Sequence, residues 1–168
     1  ILCCVRWYYS YNSYTSGITD SYAFYPLYTA YPVGRTQVLW RASELTAAGL
    51  TPGNITGLDF EINSLGDEMK HFSILMKSTV LTEFSSNIFE SGFTEVYNQN
   101  TTFGLGWDGV DFTTPFYWDG VSNIIIEITY DNTNPTGLSY MTSMETAPYY
   151  ALLTACNNDK YVEFLNPD

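Results

Sequence analysis

Positive charge is scarce in this chain. Its 168 residues carry 6 Lys and Arg against 18 Asp and Glu, a formal net charge of −12 with a pI near 4.1. Nucleic-acid binding relies on Lys and Arg displacing phosphate counterions, so this balance excludes nucleic acid as a partner. The same sign disfavours anionic membrane surfaces. No run approaches the roughly 20 apolar residues that a membrane-spanning helix needs, so membrane insertion is not expected. Histidine occurs once, as His71, and a lone His without a partner motif is far more often a surface or core residue than a base. Nucleophile elbow, metalloprotease helix, phosphate loop and dinucleotide fingerprint are all missing. The chain therefore reads as no enzyme.

Cysteine is also sparse: Cys3, Cys4 and Cys156. Sequence neighbours rarely bridge each other, so a disulfide would join Cys156 to Cys3 or Cys4 and leave one thiol buried or bound to another chain. Three reduced cysteines acting as small hydrophobes is the equal alternative. None of the spacings resembles a zinc site. The opening residues Ile1 to Tyr9 lack a Met and read as a strand rather than a signal segment, so the chain is expected to be a mature or excised piece.

Aromatic residues are abundant. Four Trp, 15 Tyr and 10 Phe make up 17% of the chain, within a hydrophobic fraction of 45% and a charged fraction of 14%. Those proportions suit a globular core, and the length suits one domain over 1–168. Tyr favours strands and half-buried faces. Turn residues recur about every ten positions, the punctuation of a sandwich. Leu58, Phe60 and Ile62 alternate with Asp59, Glu61 and Asn63, and Phe72, Ile74 and Met76 with Ser73 and Lys77, so two half-buried strands are predicted. Residues 123–130 form the most apolar run and predict a central strand. Further strands are predicted at 3–11, 22–31, 36–41, 93–98, 110–118, 138–143, 148–155 and 160–164. One short helix is predicted over Glu44 to Ala48, with Ser43 as N-cap and Gly49 as stop. The fold class is thus all-β, an antiparallel, jelly-roll-like β-sandwich. Residues 1–17 are a candidate Tyr-rich arm, since the polar stretch Asn12 to Asp20 follows the first strand.

From about Tyr28 to Asn132 the motifs run in a specific order. Arg35-Thr-Gln-Val-Leu-Trp-Arg-Ala-Ser-Glu-Leu-Thr-Ala-Ala-Gly49 and Gly53-Asn-Ile-Thr56 come first, then Phe72-Ser-Ile-Leu-Met-Lys-Ser-Thr79 and Thr94-Glu-Val-Tyr97. Phe112-Thr-Thr-Pro-Phe-Tyr-Trp-Asp-Gly-Val-Ser-Asn123 and Asp131-Asn132 close the series. This order resembles a module of large secreted and surface-anchored proteins of Bacteroidota exported by the type IX route. Such modules sit beside adhesive or catalytic domains, so the resemblance implies a secreted, cell-surface location and a β-sandwich, with no ligand residues to transfer. The family pattern often carries a Cys where Thr129 stands, so no disulfide is transferred either.

Three kinds of site are candidates. Sugars stack on exposed aromatics while carboxylates bind their hydroxyls, which singles out Trp107 and the cluster Trp7, Tyr8, Tyr9, Tyr11 and Tyr14. Trp40 and Trp118 sit in apolar patterns and read as core. Calcium wants six to eight hard oxygens, and Asp108, Asp111, Asp119 and Asp131 lie in polar clusters that could contribute them, although turn chemistry accounts for the same residues. Glu61 and Glu127 lie on strand patterns where a glycosidase pair would need spatial convergence. The function expected is a non-catalytic extracellular module for adhesion or assembly of a cell-surface structure. Its partners would be protein subunits, including homo-oligomers joined through the N-terminal strand. The alternative is a lectin-like module for neutral glycans, and a glycoside hydrolase ranks below both.

Overall fold

The computed structural model of the chain describes residues 3–7, 21–23, 26–144 and 147–157, and their side chains over 26–142 and 147–156. Ten strands and one helix are described: β1 (Cys3–Trp7), β2 (Ser21–Ala23), β3 (Val33–Trp40), α1 (Ala42–Ala47), β4 (Gly53–Ser64), β5 (Met69–Thr79), β6 (Thr94–Thr101), β7 (Gly106–Trp118), β8 (Asn123–Asp131), β9 (Met141–Met144) and β10 (Leu152–Asn157). They build two antiparallel five-stranded sheets, the sandwich that the alternation implies. In the first sheet β4 is the axis: β7 pairs along one edge, and β1 and β9 share the other edge end to end, with β2 beyond β9. The second sheet runs β10-β3-β8-β5-β6.

One residue in two along each strand feeds a single core between the sheets. Leu58, Phe60 and Ile62 of β4 and Val110, Phe112, Phe116 and Trp118 of β7 meet Phe72, Ile74 and Met76 of β5 and Ile124, Ile126 and Ile128 of β8. Trp40 and Trp118 are both buried here. At one end of the sandwich Phe103 stands edge-to-face against Phe60, Phe72 and Tyr140, with ring centroids 5.5–5.6 Å apart. Tyr140 is fully buried, and its hydroxyl accepts the Phe103 N–H at 3.1 Å. Burial raises the Tyr140 phenol above its ordinary range. Tyr130 lies across Gly34 of the neighbouring strand, where a Cβ would stand 2.4 Å from its ring. Only glycine fits beneath it.

Two local expectations are corrected. The helix begins two residues earlier than predicted, with Arg41 rather than Ser43 at the N-cap. The Glu44 carboxylate accepts the Arg41 N–H at 2.9 Å, and Asn123 Oδ1 on β8 accepts the Ala42 N–H at 2.8 Å, so side chains outside position 43 satisfy the first turn. Residues 26–31, predicted as strand, are turns and bends. Their polar backbone is tied to side chains instead of a ladder: the Tyr130 hydroxyl donates to the Tyr28 carbonyl, and the Thr136 hydroxyl donates to the Thr29 carbonyl at 3.2 Å. The strand predicted at 160–164 lies outside the described residues.

Candidate functional site

The two sheets treat their outer faces differently. On the second sheet, the connection from β5 to β6, residues 80–93, folds back across the outside as a strap. Phe84 of the strap packs on Leu39 of β3 and Ile125 of β8 in a second, smaller core, joined by Leu81, Phe93, Tyr149 and Leu153. Beside it lies a polar network. Arg35 Nε donates to Glu127 Oε2 at 2.8 Å, and Gln37 Nε2 donates to the same oxygen. Gln37 also brackets the strap at Glu90, donating to its carbonyl at 2.8 Å and accepting its N–H at 2.9 Å. Lys77 Nζ donates to Glu90 Oε2 at 3.0 Å and to the Ser91 carbonyl at 2.8 Å, and the Arg35 guanidinium lies 4.6 Å from the Phe89 ring centroid. Glu127 is only 6% exposed. Its carboxylate is consumed by structure.

At the edge of this covered face the Tyr149 hydroxyl donates to Glu44 Oε2, and the Arg41 guanidinium sits 3.7 Å above the Tyr149 ring centroid. Burial, then the bond to Glu44, push the Tyr149 phenol well above the ordinary tyrosine range.

The first sheet has a different outside along β4 and β7. The β7 register against β4 places three consecutive outward pairs in a row: Trp107 opposite Glu61, Gly109 opposite Asp59, and Asp111 opposite Gly57. Trp107 is 46% exposed and Asp111 is exposed, while Glu61 is half-buried and Asp59 is buried. A Cβ on Gly109 would meet the Leu58 carbonyl oxygen at 2.1 Å and Asp59 Oδ1 at 2.3 Å, so the floor beside Trp107 stays at backbone level. Asp59 and Asp111 are already engaged by other groups within the chain. Farther along, residues 112–115 of β7 bulge out where β4 supplies only Thr56, and Thr113 Oγ1 donates across to the Val96 carbonyl of β6 at 2.9 Å. That bond ties the two sheets along one side. Past the bulge Tyr117, 65% exposed, faces outward opposite Asn54.

The remaining candidates are dispersed. Asp108 turns its carboxylate back on the entry to β7, accepting the N–H groups of Gly104 at 2.6 Å and Gly109 at 2.8 Å. Asp119 closes the β7–β8 turn, accepting from Val121 N at 2.9 Å, Ser122 N at 2.7 Å and Ser122 Oγ at 2.6 Å. Those bonds, the Ser122 hydroxyl first, hold its carboxyl below the ordinary range. Asp131 ends β8 opposite Val33. The four aspartates predicted as metal ligands thus lie at separate places. Among the described residues no three His, Cys, Asp or Glu side chains gather around a point that could hold a metal ion.

Glu61 and Glu127 face outward from opposite sheets, so this pair cannot flank one glycosidic bond. His71 is exposed at a break in the β5–β6 register, with a φ of 48°. Cys3 and Cys4 pair with Phe60 and Asp59 in the first sheet, whereas Cys156 pairs with Gly34 in the second. Trp7 sits opposite Ile55 in the backbone register; Tyr8, Tyr9, Tyr11 and Tyr14 lie outside the described residues. β1 completes its own chain's first sheet, the intramolecular alternative for the N-terminal strand. Sequence reasoning missed Tyr117 and Gly109. The signal for both was alternation through Val110, Phe112, Phe116 and Trp118, obscured by the bulge. No protein-family model, curated protein or solved structure matches this chain.

Proposed function

We propose that this chain is a non-catalytic contact module of a secreted cell-surface protein, working in adhesion or in building a surface structure, with the exposed outer side of β7 as its contact surface. The observation that carries this reading is the asymmetry of the two outsides. The strap and its ionic network cover the second sheet, whereas β7 presents Trp107 and Tyr117 to solvent. Exposed large aromatics aligned on one rigid sheet are a costly arrangement unless something docks on them. The absence of catalytic motifs points the same way, as does the commitment of Glu127 to Arg35 and Gln37. The motif order from Tyr28 to Asn132 supports placing the module among Bacteroidota surface proteins exported by the type IX route.

The test is retention of domain-coated fluorescent beads on Bacteroidota cells, glass and polystyrene under flow. Trp107→Ala combined with Tyr117→Ala is expected to abolish retention, while Ile88→Ser, on the exposed outside of the strap, leaves it unchanged. Equal retention by the double variant would overturn the reading.

A further inference from the structure

We infer that the sandwich is a soft link under tension: a pull delivered through β1 and β10, its first and last described strands, peels them from their sheets one residue pair at a time. This property goes beyond the contact-face reading and stands independently of it.

Register sets the geometry. β1 runs antiparallel to β4, with Cys3 opposite Phe60 and Trp7 opposite Ile55. β10 runs antiparallel to β3, with Leu152 opposite Val38 and Asn157 opposite Val33, and Val33 in turn stands opposite Asp131 of β8. The ring of Phe103 meets Phe60 of the first sheet and Phe72 of the second edge-to-face, which brings those two positions to a common height. Ser73, next to Phe72, pairs with Thr129, two residues before Asp131. Cys3 and Asn157 therefore lie toward the same end of the sandwich, on opposite sheets. Val80 and Val121 follow the strand ends at the other end, where Thr79 pairs with Asn123 and Gly53 with Trp118.

A line from Cys3 to Asn157 thus crosses the strands instead of running along them. Hydrogen bonds in antiparallel ladders are perpendicular to the strands. Tension along that line falls on the outermost pair of each ladder and breaks the bonds in succession. A pull along the strand axis would load all five pairs of β1 together, or all six of β10. Among the described strands β1 is laddered to β4 alone and β10 to β3 alone, and the β1 register slips between Arg6 and Trp7. β7 pairs along the other edge of β4, so departure of β1 leaves the ladder that carries Trp107 and Tyr117 in place. Forced unfolding is governed by a rate rather than by equilibrium stability, so one fold yields at different forces in different directions.

The experiment is single-molecule force spectroscopy on the full chain, at one loading rate and under reducing conditions so that no disulfide bears load. Handles are placed at the two chain ends, or at either end together with Val121→p-azidophenylalanine, a position 79% exposed at the far end of the sandwich. End-to-end unfolding forces are expected to be several-fold lower than those from either end to position 121, where β1 or β10 is drawn along its own axis. The same substitution at Val80, 93% exposed beside that end, repeats the comparison if the change at Val121 lowers the melting temperature. An end-to-end force equal to or above the force in the two axial geometries overturns the inference, and does so whether or not bead retention depends on Trp107 and Tyr117.

Discussion

The two outer faces of this sandwich start from the same strand geometry and end in opposite states. On the second sheet, Leu39 and Ile125 point outward, and the chain spends residues 80–93 to cover them. Their neighbours Gln37 and Glu127 are polar, yet they are equally buried because Glu90 of the strap bonds to Gln37 and Arg35 pairs with Glu127. On the first sheet, the outward positions of β7 are Trp107, Gly109, Asp111 and Tyr117, and Trp107, Asp111 and Tyr117 stay exposed. A covered face is a stability device, and a bare aromatic face is available for contact. If that division holds, substitutions on the first should cost stability and leave contact alone, and substitutions on the second should do the reverse.

The largest effect belongs to Glu127→Ala. Removing this carboxylate strands the Arg35 guanidinium, whose side chain is 12% exposed, and breaking a buried pair from one side costs about 3–5 kcal/mol. Urea unfolding should show that loss, and amide exchange should quicken first at Gln37 and Glu90 where the strap is pinned. A loss below about 1 kcal/mol would mean that the covered face does not hold the fold.

Gly109→Ala comes next and tests the bare face from beneath. A Cβ there would press on the Leu58 carbonyl and the Asp59 backbone, which cannot swing aside as a side-chain tip would. Overpacking of this kind costs about 1–3 kcal/mol. Retained stability would show that β7 can lift off β4, and Trp107 would then lack a fixed position on the sheet.

Alkaline pH probes the rim of the covered face. Tyr149 has its pKa raised in the folded chain, so folding favours the protonated phenol. The contribution is complete below the ordinary tyrosine value of about 10 and declines as pH rises above it, where the unfolded chain loses its proton first. The unfolding midpoint should therefore fall on the alkaline side, and Tyr149→Phe should flatten that fall. The smallest stability change is expected for Trp107→Ala, within about 0.5 kcal/mol, because its side chain is half in solvent already. Calorimetry on this variant beside the bead assay separates contact from folding.

The core was readable from residue order, whereas the outer layers were not. Alternation through Leu58-Phe60-Ile62 and Phe72-Ile74-Met76 located β4 and β5, and the run Ile124-Ile125-Ile126 marked β8 as central. That run also held an unread clue: Ile125 has no reason to be apolar unless something covers the outside of the sheet. The strap itself, with its Ser and Asn residues between Phe84 and Ile88, resembles an ordinary polar loop. Its role depends on contacts with residues more than 40 positions away, and periodicity does not carry that information. Likewise Trp107 was visible as an aromatic, but its pairing with Glu61 and the glycine step beside it follow from β4–β7 register, which a bulge of residues 112–115 shifts. Tyrosine content misled at residues 26–31, where Pro26 and Pro32 bound a turn.

Among the described ladders only β5 and β6 are both consecutive and paired. A polypeptide emerging amino end first would hold β2 unpartnered until β9 arrives, and β3 until β8 arrives. Loop-closure entropy must then be met across dozens of intervening residues for every described ladder but β5–β6. Acquisition of structure should be slow and concerted, and a polypeptide ending at Trp118 should be incapable of it, since β8, the centre of the second sheet, would be missing. Ribosome-stalled or proteolytically shortened forms are therefore expected to behave as open coils carrying at most the β5–β6 hairpin.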